Sequence, residues 1–187
     1  MLSVLKYLQS IQPLPAGLTS YLQQIIKRKE IARKEHLLKE GQVCRNIYFI
    51  ESGLLRCYYI KNGDEVSSWF MKEKDVCISV ESYYQQQPSL EYIQALEDTV
   101  VYSISFEELD RIYRNFPAFN YTGRVLTERY YILSEQRSKS MRMQRSHERY
   151  EWLMHRYPEL MQRVAAKYIA SYLGITEVTL SVVRGRR

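Results

Sequence analysis

The residues best suited to touch another molecule lie near the C-terminal end of the 187-residue chain, between Lys167 and Arg184. Read as a helix, the segment after Thr176 puts Leu180 and Val183 on one face and Glu177, Val178, Ser181, Val182 and Arg184 on the other. Glu177 can accept from cytosine N4, and a valine offers only apolar contact, for example to a thymine methyl. Lys167, Arg184, Arg186 and Arg187 can reach phosphates, which gives affinity that falls with salt and carries no sequence information. Thr176 and Thr179, at the head of the same helix, complete the expected contact set.

The residues around this face satisfy distinct constraints in a short window. Ile169 and Leu173 lie one turn apart on a face that a first helix would bury. Ala170 is small where a second helix must cross. Gly174 allows a positive φ in the turn, Ile175 fills the angle, and the Thr176 hydroxyl can cap the second helix. This is the helix-turn-helix design, in which one helix braces and the next enters the major groove. An ordinary αα-hairpin meets the apolar part of the pattern equally well. Charge separates the two readings: residues 142–187 hold 9 Lys/Arg against 4 Asp/Glu, whereas residues 1–141 hold 18 against 17. A basic excess confined to the motif points to a polyanion partner.

Other chemistries are poorly supported. His147 with Glu148, or His155 with Glu159, could exchange protons, but no nucleophile or metal constellation accompanies them, so an enzyme is not expected. Cys44, Cys57 and Cys77 are odd in number and widely spaced, which supports neither a disulfide framework nor a zinc site. Free buried thiols in a reducing cytoplasm are the expectation. No apolar run approaches the roughly 20 residues of a membrane helix, and residues 1–10 lack the layout of a signal peptide.

The elements that must carry the motif read as α+β. Leu2, Leu5 and Leu8, then Leu18, Leu22 and Ile25, recur at helical spacing around the Pro13–Pro15 break. Lys27 to Lys34 reads as a solvated charged segment. Between His36 and Phe106 short apolar runs alternate with turns: strands at 47–50, 54–60, 66–71, 92–96 and 100–104, with Asn62–Gly63 marking a type I′ hairpin. Their number and spacing fit a small barrel or sandwich. Ser105 caps a helix to Asn115, and Pro117 opens a long one. Phe119, Leu126 and Leu133 repeat every seven residues along it, extended by Tyr130. That stripe is either a seam with a second chain or packing on its own domain. Ser146 is expected to cap the next helix, which stops near Pro158.

With these residues in view, the chain from about 20 onward resembles the CRP/FNR family of bacterial transcription regulators, in particular members that stop soon after the recognition helix. The likeness rests on Leu38 to Gly41, Ile47 to Arg56 with Gly53, and Ile93 to Ala95 for the cyclic-nucleotide-binding β-roll, and on Ile169 to Thr176 and Thr179 to Ser181 for the helix-turn-helix. It implies a double-stranded β-helix sensor at 1–115, a dimerisation helix at 116–140 and a DNA-binding domain at 141–187. It also implies a homodimer seamed by Phe119, Leu126, Tyr130 and Leu133, with DNA and RNA polymerase as partners.

Two departures from the family pattern bear on function. Cyclic-AMP-binding members carry a Gly-Glu pair and a downstream Arg in a phosphate-binding cassette. Here those positions fall near Ile78, Ser79 and Ser89, and residues 75–106 hold five acids and no Lys, Arg or His. A buried phosphate without a cation costs several kcal/mol, so cyclic AMP is not expected to bind in the usual way. Tyr83 and Tyr84, with Gln85 to Gln87, either line a site for a neutral effector or form a surface loop. Residues 1–43 lack the cysteines of an iron–sulfur sensor, His36 reads as a surface histidine rather than a haem ligand, and no cofactor is assigned. The second departure is Val182, where family members often place Arg. A ligand-binding or scaffold protein that has lost DNA readout is therefore the competing reading.

Overall fold

The computed structural model describes residues 3–185. Two helices lead, α1 (Ser3–Ile11) and α2 (Ala16–Ile25). They are followed by β1 (Lys27–Ile31), β2 (His36–Leu38), β3 (Asn46–Ser52), β4 (Leu55–Lys61), β5 (Asp64–Met71), β6 (Val76–Cys77), the short helix α3 (Val80–Gln85), β7 (Tyr92–Ala95) and β8 (Thr99–Ser105). The remainder is helical: α4 (Phe106–Asn115), α5 (Phe119–Met143), α6 (Ser146–Arg156), α7 (Leu160–Arg163), α8 (Ala166–Leu173) and α9 (Glu177–Gly185). The strands form two four-stranded sheets, β1-β8-β3-β6 and β2-β7-β4-β5, in a jelly-roll-like arrangement.

Turn chemistry fixes the register. Asn62 and Gly63 both have positive φ, as a type I′ hairpin between β4 and β5 requires. Gly53 sits at φ +101°, and a Cβ there would lie 2.6 Å from the Thr99 Cα, so glycine is required twice over. Thr99 closes the same corner: its Oγ1 accepts from Leu54 N at 3.2 Å and donates to Glu97 O at 2.8 Å. Ser105 caps α4 by accepting from Glu108 N at 3.2 Å.

Three local expectations are corrected. Lys27 to Glu30 are exposed, as charge demands, yet with the buried Ile31 they pair antiparallel with β8 as an edge strand. Charged side chains keep such an edge from recruiting another strand. Tyr83 to Gln85 are not a loop but the end of α3, which carries Tyr83 inward, and only Gln86 and Gln87 form the turn that follows. Ser146 is the first residue of α6 rather than its cap, and the Glu148 carboxylate accepts from Arg145 N at 2.6 Å.

The chain forms two compact units. One comprises Met1–Cys57 and Phe70–Glu128, the other Tyr58–Trp69 and Arg129–Arg187. In the first, α1, α4 and α5 cover the face of β3 and β8 that carries Ile47, Phe49, Tyr102 and Ile104, around an apolar cavity of about 60 Å³. Gly123 is the reason α5 can approach α4: a Cβ there would meet the Tyr113 hydroxyl. The second unit joins the β4–β5 hairpin to the C-terminal helices.

Candidate nucleic-acid interface

The helix pair α8 and α9 is built on the expected core. Ile169, Ala170, Leu173, Leu180 and Val183 are all buried. Gly174 takes φ +65°, and a Cβ at that point would lie 2.8 Å from the Met141 Cε. Thr179 N donates to the Thr176 Oγ1 at 3.1 Å, so Thr176 caps α9. Glu177, Val178, Ser181, Val182 and Arg184 face solvent, and Thr179 is half-buried beside its cap. Val178 is 75% exposed and Val182 51%. Lys167 is exposed, with its ammonium 4.8 Å from the Tyr168 ring centroid. Arg186 and Arg187, expected at phosphates, lie outside the described residues.

Residues that the sequence reading overlooked hold this pair in place. The last carbonyls of a helix need donors. Tyr172 O accepts from Arg137 Nη2 at 3.0 Å, and Leu173 O accepts from Arg149 Nε at 2.9 Å. The Arg137 guanidinium also stacks 3.7 Å from the Tyr172 ring centroid. Part of the C-terminal basic excess is thus structural. The Ser171 Oγ accepts from Ser67 N at 2.9 Å and donates to Glu65 O at 3.0 Å, tying α8 to the β4–β5 hairpin.

Within the roll, two of the residues expected at a ligand site, Ser79 and Ser89, are bonded to each other. The hydroxyls of Ser79 and Ser89 are 3.0 Å apart. Ser89 Oγ also accepts from Glu91 N and donates to Glu91 O, each at 3.0 Å. Tyr83 is buried with its ring edge-on to Phe106, and burial pushes its phenol well up; Ile78 is half-buried and Tyr84 exposed. A cation does enter the interior, but from β4: Arg56 is 0% exposed, and its Nη2 donates to Gln94 Oε1 at 3.4 Å. Counting charges only between 75 and 106 could not find it. The three cysteines, far apart in sequence, are all buried and free, and the Cys57 thiol hydrogen-bonds that of Cys77. That bond, together with burial, raises the Cys77 thiol well above its ordinary value.

Residues 28–116 match the model of the cyclic nucleotide-binding domain. Over 98 residues the chain is 36% identical to the fumarate and nitrate reduction regulatory protein of Vibrio cholerae, a match spanning 51% of this chain and 38% of that one. The structure of FixK2 from Bradyrhizobium japonicum superimposes with a TM-score of 0.71 at 17% identity, covering 87% of this chain and 84% of that one. A regulator from Eubacterium rectale described as CRP/FNR gives a TM-score of 0.68 at 17% identity, covering 95% and 85%. The chain is similar to CRP/FNR regulators in sequence over about half of its length and in fold over most of it. At such identities the solved structures bear on the fold alone, and the chain spans about two-fifths of the Vibrio relative's length.

The long helix α5 has apolar residues that divide between two surroundings. Phe119 is 3% exposed, and with Leu126 it lines the cavity against α4 and the sheet. Leu133 is also buried, and Tyr130 is half-buried. The heptad stripe is therefore largely satisfied within its own chain, while Tyr131 and Ile132 are exposed. The exposed His147 Nε2 lies 3.4 Å from Glu151, with Glu148 engaged instead at the α6 cap.

Proposed function

We propose that the protein is a homodimeric, sequence-specific DNA-binding transcription regulator whose roll does not take cyclic AMP in the family's usual way. The observation that carries the reading is the α8–α9 pair: a capped, core-anchored helix with Glu177, Val178, Ser181, Val182 and Arg184 turned to solvent. Lys167 and Arg184 supply phosphate contacts, and two copies would place their α9 helices roughly 34 Å apart for adjacent half-sites. RNA polymerase is the partner that the resemblance implies. The exposed α5 residues Tyr131 and Ile132 support a helix–helix dimer. The mutual bonding of Ser79 and Ser89, where the cassette would meet phosphate, supports the altered sensor.

The deciding experiment is selection of the full chain on randomised duplexes at low and moderate salt. Enrichment of a palindrome is the expected result. Salt-sensitive binding without a motif would leave a backbone binder, and no binding at either salt would favour the scaffold reading. Calorimetric titration with cyclic AMP should show no saturable heat at millimolar nucleotide; micromolar binding would overturn the sensor assignment.

A further inference from the structure

We propose that α9 reads thymine C5-methyl groups, with Val178 and Val182 as the specificity-determining pair. The inference rests on the DNA-binding reading above. At roughly 100° per residue, Val178 stands nearly opposite the buried Leu180–Val183 stripe, at the centre of the outward arc. Val182 lies one turn further on the same side. Both are exposed while their neighbours Leu180 and Val183 are buried, so these two valines do not serve the core of the helix pair. A β-branched residue is a poor choice for an exposed helical position on propensity alone.

In a major groove the two side chains can offer no hydrogen bond, so they discriminate bases only by apolar contact. The sole apolar group on that edge is the thymine C5-methyl. Four residues of helix rise about 6 Å, and bases on one strand are about 3.4 Å apart. The pair therefore fits two thymines one or two steps apart in each half-site. Ser181, about 60° to the other side of Val178 on the same outward arc, can hydrogen-bond either base type, which leaves the valines to set the preference.

The test replaces thymine by 2′-deoxyuridine in the selected half-sites, removing the methyl and nothing else, and measures affinity of the full chain at fixed salt. Burying one methyl corresponds to roughly fourfold in affinity, so losing two should weaken binding about fifteenfold per half-site, with the salt slope unchanged. Val178→Ala and Val182→Ala should each weaken binding to the thymine duplex and shrink the uridine penalty. Both positions are exposed, so thermal unfolding should match the parent. Equal affinity for thymine and uridine duplexes, or a selected motif without thymine, would overturn the inference and leave DNA binding standing. Failure to bind any duplex at low salt would overturn both.

Discussion

Ser171 carries more than its exposure suggests. One hydroxyl accepts from Ser67 N and donates to Glu65 O, so a helix of the α8–α9 pair is bonded to a hairpin more than 100 residues away in the chain, at a sequence separation of 104 from Ser67. Ser171→Ala leaves the Ser67 amide without this acceptor and should cost about 1–2 kcal/mol, measured as a fall in the urea midpoint with the m-value unchanged. Tyr48 and Tyr113 give a second test at this scale. Burial pushes both phenols up to about 12. A phenol raised in the folded state contributes stability that is complete below its ordinary value near 10, and that stability is lost as pH rises towards the folded value. The denaturant midpoint should therefore begin to fall near pH 10 and keep falling towards pH 12. A flat midpoint across that window would refute the burial of these hydroxyls. The thiols behave alike: Cys44 is raised by desolvation and Cys77 by its bond to Cys57, so Ellman's reagent should react with the folded chain far more slowly than with the unfolded one.

At the scale of elements, Thr176 is the cap on which α9 depends. Thr176→Ala removes the acceptor for Thr179 N and should destabilise α9 by about 1 kcal/mol. DNA affinity should fall with it, and Thr176→Ser should restore both. This element was legible in the sequence because its constraints are local: a glycine that needs positive φ, a capping hydroxyl, and apolar residues at helical spacing all fall between Ile169 and Val183. The strands from β3 to β5 were legible for the same reason, since Gly53 and Asn62–Gly63 mark their turns. What was not legible depended on distant partners. β1 is a row of charges whose only strand signal is its pairing with β8. β6 is two residues long. Arg56 reaches the roll interior from a strand outside the cassette, and no local pattern foretells the meeting of Cys57 with Cys77.

At the scale of the whole molecule, the question is what α5 does with its apolar residues. The seven-residue repeat of Phe119, Leu126 and Leu133 is equally compatible with a partner chain and with an internal core, because both need an apolar stripe on one face. Phe119 and Leu126 lie against the chain's own sheet and α4, so the proposed dimer would draw on the residues left outside, Tyr131 and Ile132 among them. The two roles separate by mutation. Phe119→Ala should behave as a core truncation, costing about 3–5 kcal/mol whatever the oligomeric state. The pair Tyr131→Glu and Ile132→Glu removes exposed apolar surface and sets like charges against each other across any two-fold axis passing near them. It should shift sedimentation from dimer to monomer at micromolar concentration. A monomer engages a single half-site, so affinity for a palindromic duplex should collapse by orders of magnitude while non-specific, salt-sensitive binding survives at reduced strength. If the doubly charged variant still sediments as a dimer and binds the palindrome as the parent does, the seam lies elsewhere on the chain.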